Sequence, residues 1–151
     1  MIRVLFVCHG NICRSTMAEA MMKYMTERKD ISEKYYIDSA ATSTEAVGYM
    51  MYSPAVRKLK QYGIPSGDHV SRQIRKADYG RFDYIIGMDR YNIRDLQRRF
   101  NGDPQGKVHK LMSFAGSDRD VADPWYTGDF EATYQDLKVS IEKLIEITEA
   151  L

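Results

Sequence analysis

Apolar positions recur along this chain in two alternating periods. Ile2 to Val7 is an apolar run broken only by Arg3, as expected of a strand buried on both faces. From Ser15 the period lengthens, and Met17, Met21, Tyr24 and Met25 fall on one side of a helix. Tyr35 to Ser39 reads as a second strand. Ser53-Pro54 opens a second helix through Val56, Leu59 and Lys60, with proline at a favoured first-turn position, and Gly63 ends it just before Pro65. Phe82 to Met88 reads as a third strand, Tyr91 to Phe100 as a short helix closed by Asn101-Gly102, and Val108 to Met112 as a fourth strand. Phe130, Tyr134, Leu137, Ile141, Leu144, Ile145 and Thr148 trace one face of a long C-terminal helix.

Strands alternating with helices predict an α/β fold with a four-stranded parallel sheet and helices on both faces. No repeat or linker interrupts the pattern, so residues 1–151 are expected to form a single domain. In such sheets the ligand site lies beyond the carboxyl ends of the strands. Cys8 follows the first strand at that edge, and Asp89 follows the third. Ser113 to Gly128 is long and poorly patterned, which in a domain of this size points to a functional loop.

Composition narrows the possibilities. With 44% hydrophobic and 28% charged residues the 151-residue chain is globular, and a net charge of +1 gives no reason to expect nucleic acid or an anionic membrane as partner. The only cysteines, Cys8 and Cys13, sit in one short segment, where a structural disulfide would staple almost nothing. They read as reactive thiols in a reducing, cytoplasmic setting. The N-terminal apolar run is too short for a secretory signal, and nothing approaches the roughly 20 apolar residues of a membrane span.

The chemistry concentrates in Cys8-His9-Gly10-Asn11-Ile12-Cys13-Arg14-Ser15. A loop between a strand and a helix start aims backbone N–H groups and the helix dipole at an anion. A thiol must be a thiolate to attack, and those groups stabilise negative charge. Arg14 offers a planar fork for two oxygens of a tetrahedral oxyanion. Gly10 relaxes the backbone, Asn11 tolerates a left-handed conformation and can tie the loop, and Ser15 can donate to the thiolate. This arrangement suits phosphoryl transfer through a cysteinyl-phosphate.

That run, with Met17-Ala18-Glu19 after it, resembles the signature of the low-molecular-weight protein tyrosine phosphatases. The similarity continues through Asp38-Ser39-Ala40, Gly63-Ile64, His69, Phe82-Asp83, Met88-Asp89 and Asp123-Pro124. The resemblance implies that Cys8 is the nucleophile, Arg14 the phosphate clamp and Asp123 the general acid, with His9 to Ser15 cradling the phosphate. It implies that Asn11 holds the loop through Ser39 and His69, although a lone loop histidine is more often a surface residue. Asp89 is expected either to orient Arg14 or to cap a helix. Trp125 and Tyr126 would wall a deep slot for a phosphorylated ring. Cys13 is either a trap for oxidised Cys8 or a loop filler. Implied partners are phosphotyrosine-containing proteins or peptides, inorganic phosphate and its oxyanion mimics; no cofactor or metal is implied.

Thr16 stands where the family usually has proline, and Ser43-Thr44 is followed by Glu45 and Ala46 rather than an aromatic wall residue, with Tyr49 or Tyr52 as substitutes. Phosphoarginine phosphatases share this loop, but a threonine is expected there where Ile12 stands. Arsenate reductases pass oxidation along further cysteines, which this chain lacks. A phosphotyrosine-binding module without turnover would not need Cys8, Arg14 and Asp123 together.

Overall fold

Strand β1 (Ile2–Cys8) lies inside a four-stranded parallel sheet of order β2-β1-β3-β4, in a computed structural model that describes residues 1–151. Its neighbours are β2 (Tyr35–Ala41) and β3 (Tyr84–Gly87), and β4 (Val108–Lys110) forms the far edge. Side chains alternate across a strand. Val4, Phe6 and Cys8 therefore enter the larger core cluster, while Leu5 and Val7 enter a smaller one on the opposite face. The larger cluster is completed by Met17 and Met21 of α1 (Arg14–Arg28) and by Leu137, Ile141 and Leu144 of α6 (Phe130–Glu149). The smaller holds Ile85 with Leu96 of α4 (Arg90–Arg99) and Phe100. Helices thus cover both faces, as the alternating periods predict.

The register puts the chemistry at one edge. Cys8 pairs with Ala41 and Val7 with Gly87, so β1, β2 and β3 all end at the same level. Gly87 leaves little room there, since a Cβ would meet side-chain atoms of Asn92 and Ile93 at 3.0 Å; α4 packs directly onto the end of β3.

Several boundaries differ from the sequence reading, each for a local reason. β3 starts at Tyr84 because Asp83 is drawn aside to Arg3, whose backbone N–H and guanidinium donate to its carboxylate. It stops before Met88, whose N–H turns to Asn92 Oδ1 at 3.0 Å. β4 is shorter than expected, and Leu111–Ala115 coils into a 3-10 turn ended by Gly116 at φ 78°. A short helix, α3 (Asp78–Arg81), was not anticipated; its first residue is a fully buried aspartate paired with Arg72. The long 113–128 segment is pinned where the Val121 N–H meets the Met88 carbonyl at 2.9 Å, and it contains a helical turn, α5 (Pro124–Thr127). Helix α2 (Ser53–Gln61) begins at Ser53-Pro54 as expected. No helix is long and apolar enough to cross a membrane.

Candidate active site

The five residues between β1 and α1 wrap around one sulfur atom. Cys8 Sγ accepts the Asn11 N–H at 3.3 Å and lies 3.0 Å from Ser15 Oγ. All of the loop carbonyls but that of Asn11 are tied down by hydrogen bonds. Cys8 and His9 carbonyls accept from the amides of Thr42 and Ser43, Gly10 accepts from the Ser71 hydroxyl, Ile12 from the Tyr52 amide and Cys13 from the Met17 amide. The N–H groups of Gly10, Ile12, Cys13, Arg14 and Ser15 have no acceptor within the protein. A concave backbone whose donors are uncommitted is an anion cradle. Thr16, in place of a proline, bonds its hydroxyl back to the Cys13 carbonyl at 3.1 Å and keeps the helix start closed.

Asn11 fixes the curvature. It is fully buried and sits at φ 58°, a left-handed conformation that asparagine accepts more readily than most residues. Its Nδ2 donates to Ser15 Oγ at 2.7 Å and to Ser39 Oγ at 2.9 Å. Its Oδ1 accepts from His69 Nε2 at 2.8 Å and from the Arg72 N–H at 3.3 Å. Ser39 and His69 are therefore brought to the loop as expected. Glu19, Asp38 and Arg72 complete the set; Glu19 and Asp38 stand in the runs that carry the family resemblance, but the sequence assigned a role to none of the three. Glu19 Oε1 accepts from Ser39 Oγ at 2.6 Å and faces His69 Nδ1 at 3.3 Å, and Asp38 faces the same nitrogen at 3.4 Å. Arg72 bridges Asp38 and Asp78. Glu19 was findable in principle, since it lies one helical turn after Ser15 and is the one charged residue in the stretch Met17 to Met22. Glu19, Asp38 and His69 are also close enough to ligate a metal, but each already spends its facing atoms on protein partners.

Arg14 is almost fully buried, with its Nη1 donating to Asp89 Oδ2 at 2.8 Å and to the Val121 carbonyl at 2.9 Å. Its Nη2 reaches Asp123 Oδ2 at 3.4 Å, and Nε has no protein partner. Burial alone would lower its pKa; the negative charges of Cys8, Asp123 and Asp89 outweigh that and raise it, so the cation persists. Asp89 fulfils both roles considered for it. One oxygen holds Arg14, and the other accepts the Asn92 N–H at 2.8 Å in a capping box that starts α4. Asp123 is likewise a helix cap, taking the Trp125 N–H at 3.0 Å on its other oxygen, in the extended conformation that a following proline enforces. Cys13 is buried, and burial first, then the negative charges of Cys8 and Asp123 against the opposing Arg14, pushes its thiol up to about 12.

Cys8, Arg14 and Asp123 line one cavity of 560 Å³ whose remaining walls include Ile12, Tyr49, Met51, Tyr52, Trp125 and Tyr126. The Tyr52 and Trp125 rings meet at 4.7 Å between centroids. Tyr49, Trp125 and Tyr126 are each more than half exposed, and such clustering of large exposed apolar groups marks a binding surface. Both candidate substitute tyrosines thus reach the slot. Glu45 lines it as well, with its carboxylate 2.9 Å from His9 Nε2.

Three comparisons place this geometry among known proteins. A family model described as low molecular weight phosphotyrosine protein phosphatase matches residues 3–151. The human low molecular weight phosphotyrosine protein phosphatase is 42% identical over 137 residues, covering 87% of this chain and 86% of that one. A crystal structure of YfkJ from Bacillus subtilis superposes with a TM-score of 0.96 at 36% identity, over 99% of this chain and 96% of that one. A crystal structure of a Drosophila arginine phosphatase superposes with a TM-score of 0.90 at 32% identity, over 97% of this chain and 98% of that one.

Proposed function

The chain belongs to the low molecular weight phosphotyrosine protein phosphatase family, and from that premise we propose that it hydrolyses phosphotyrosine monoesters through a phosphocysteine at Cys8, as one catalytic unit over residues 1–151. The observation that carries the assignment of roles is the loop itself: a sulfur receiving the Asn11 amide and the Ser15 hydroxyl, ringed by uncommitted N–H groups, with Arg14 and Asp123 on the same cavity.

The residues then divide the work. The free N–H groups and the Arg14 fork hold the nonbridging phosphoryl oxygens, with Arg14 kept cationic and held in place by Asp89 and the Val121 carbonyl. Cys8 attacks phosphorus as a thiolate, forming the S–P bond as the bond to the phenolic oxygen breaks. Asp123, as the acid, gives its proton to that departing oxygen. The resulting carboxylate takes a proton from water, whose oxygen attacks phosphorus; the S–P bond breaks, inorganic phosphate leaves and the Cys8 thiolate returns. Ser15 and the Asn11 amide stabilise that thiolate as leaving group. Ser39 and His69 act through Asn11, keeping the loop curved.

The aromatic walls favour an aryl phosphate, whose ring can stack against Tyr52 and Trp125 as an alkyl phosphate cannot. Ile12, an apolar side chain on the same wall, supports phosphotyrosine over phosphoarginine. Phosphotyrosine-containing proteins or peptides are the expected substrates and the cytoplasm the expected location; inorganic phosphate and its oxyanion mimics are expected to compete. A panel of matched phosphotyrosine, phosphoserine and phosphoarginine peptides tests the reading. Turnover of phosphotyrosine well above both others is expected; faster release from phosphoarginine would overturn it.

A further inference from the structure

The charges around the slot are unevenly partnered. Asp89 and Asp123 are both paired with Arg14. Asp95, in the adjoining cleft of 540 Å³, is held by Arg98 and Arg99. Glu45 is different: its carboxylate is 74% exposed and its single side-chain partner is His9, itself 52% exposed. No lysine lines either cavity, and the one arginine that does, Arg14, is buried. His9 borders both cavities, so the pair stands at the junction where chain flanking a bound phosphotyrosine must pass.

An exposed pair of this kind is held weakly, because water competes for both partners. A lysine or arginine entering beside the phosphotyrosine offers Glu45 a permanent cation in place of His9. An aspartate or glutamate in that position meets Glu45 instead; of the cations in this region Arg14 is buried, and Arg90 and Arg94 lie over Tyr91, which lines the adjoining cleft and not the cavity that Glu45 lines. We propose that Glu45 is a specificity-determining residue that selects phosphotyrosines flanked by lysine or arginine over those flanked by acidic residues. The proposal rests on the phosphotyrosine reading above and names the substrate class within it. It also accounts for the departure of this chain from an aromatic wall at this position: the stacking surface is supplied by Tyr49, Tyr52 and Trp125, leaving position 45 free for charge.

The test is kcat/KM on phosphotyrosine peptides that differ only in lysine, alanine or glutamate at the residues immediately before and after the phosphotyrosine, for the wild type, Glu45→Gln and Glu45→Lys. The wild type is expected to prefer lysine over glutamate by about three- to fivefold at one or both positions, the size of one exposed ion pair. That ratio should collapse toward one in Glu45→Gln, invert in Glu45→Lys, and shrink in the wild type at high salt. Each ratio is taken within one enzyme, so a general loss of activity does not disturb it. A wild type indifferent to the flanking charge, or a preference that survives Glu45→Gln unchanged, overturns the proposal while leaving the phosphatase reading intact. If para-nitrophenyl phosphate turns over but no phosphotyrosine peptide does, the phosphotyrosine reading fails and this proposal fails with it.

Discussion

Replacing Asn11 with alanine removes both halves of the amide that curves the loop. Ser15 and Ser39 keep other partners, Cys8 Sγ and Glu19 Oε1, so the loss falls on the two donors to Oδ1, His69 Nε2 and the Arg72 N–H. Both are partly buried, so each is expected to contribute a loss near the low end of the range for an orphaned donor, about 1 kcal/mol. Alanine at φ 58° adds about 1 kcal/mol of backbone strain. The sum, about 3 kcal/mol, is below the roughly 5–15 kcal/mol of a typical domain, so the protein should still fold. Its Tm should drop by about 6–12 °C, at roughly 2–4 °C per kcal/mol for a chain of this size. Activity should suffer more: a donor ring misplaced by about 1 Å lowers turnover on the order of 100-fold. Asn11→Gly separates the causes, since glycine accepts the positive φ without strain but supplies neither hydrogen-bonding group. It should regain about 1 kcal/mol of stability in urea titration and none of the activity on para-nitrophenyl phosphate. A glycine variant as stable and active as the wild type would refute the hydrogen-bond account of the loop.

Further outcomes follow from the site. Cys8→Ser should abolish turnover while retaining binding of vanadate or phosphate, measured by calorimetry; wild-type-like rates would remove Cys8 as nucleophile. Asp123→Ala should slow phenyl phosphates with poor leaving groups far more than activated ones, and equal slowing across a leaving-group series would remove Asp123 as the acid. Because burial pushes the Cys13 thiol up to about 12 from an ordinary 9.0, native Cys13 should stay largely protonated at pH 9 and react with iodoacetamide far more slowly there than a free thiol does; equal rates would remove the burial argument. The same shift means that the native state holds this proton where the unfolded chain has lost it, so stability should fall as pH rises from about 9 toward 12. After peroxide treatment a thiol-reversible Cys8–Cys13 disulfide is expected by mass spectrometry; overoxidised Cys8 alone would assign Cys13 to packing.

The sheet and its major helices were legible because their periods are long and uninterrupted: β1 carries apolar side chains to both faces, and α6 repeats its stripe over five turns' worth of pattern from Phe130 to Thr148. The catalytic loop was legible because its chemistry is local, with Cys8, Asn11, Arg14 and Ser15 within one short segment. What escaped depends on partners far apart in sequence. Arg72 meets Asp38, 34 positions away, and no spacing between such residues announces a contact. Short elements such as α3 and α5 are set by single buried or capping aspartates, Asp78 and Asp123, rather than by periodicity. Asp89 shows a further reason: its two readings looked exclusive from the sequence, but a carboxylate has two oxygens, and each serves one of them.

Cys8 belongs to the larger core cluster, whereas the slot walls come from the segments around Glu45 to Tyr52 and Asp123 to Tyr126. These two parts of the site should therefore open on different free-energy scales under native-state hydrogen exchange. The amides of Val7 and Cys8 should exchange only with global unfolding, and those of Ala46 and Tyr126 by local fluctuation. Mild denaturant should then erode discrimination among substrates before it erodes turnover of the smallest one, and the rim can diverge between relatives while the reacting sulfur stays where the sheet puts it.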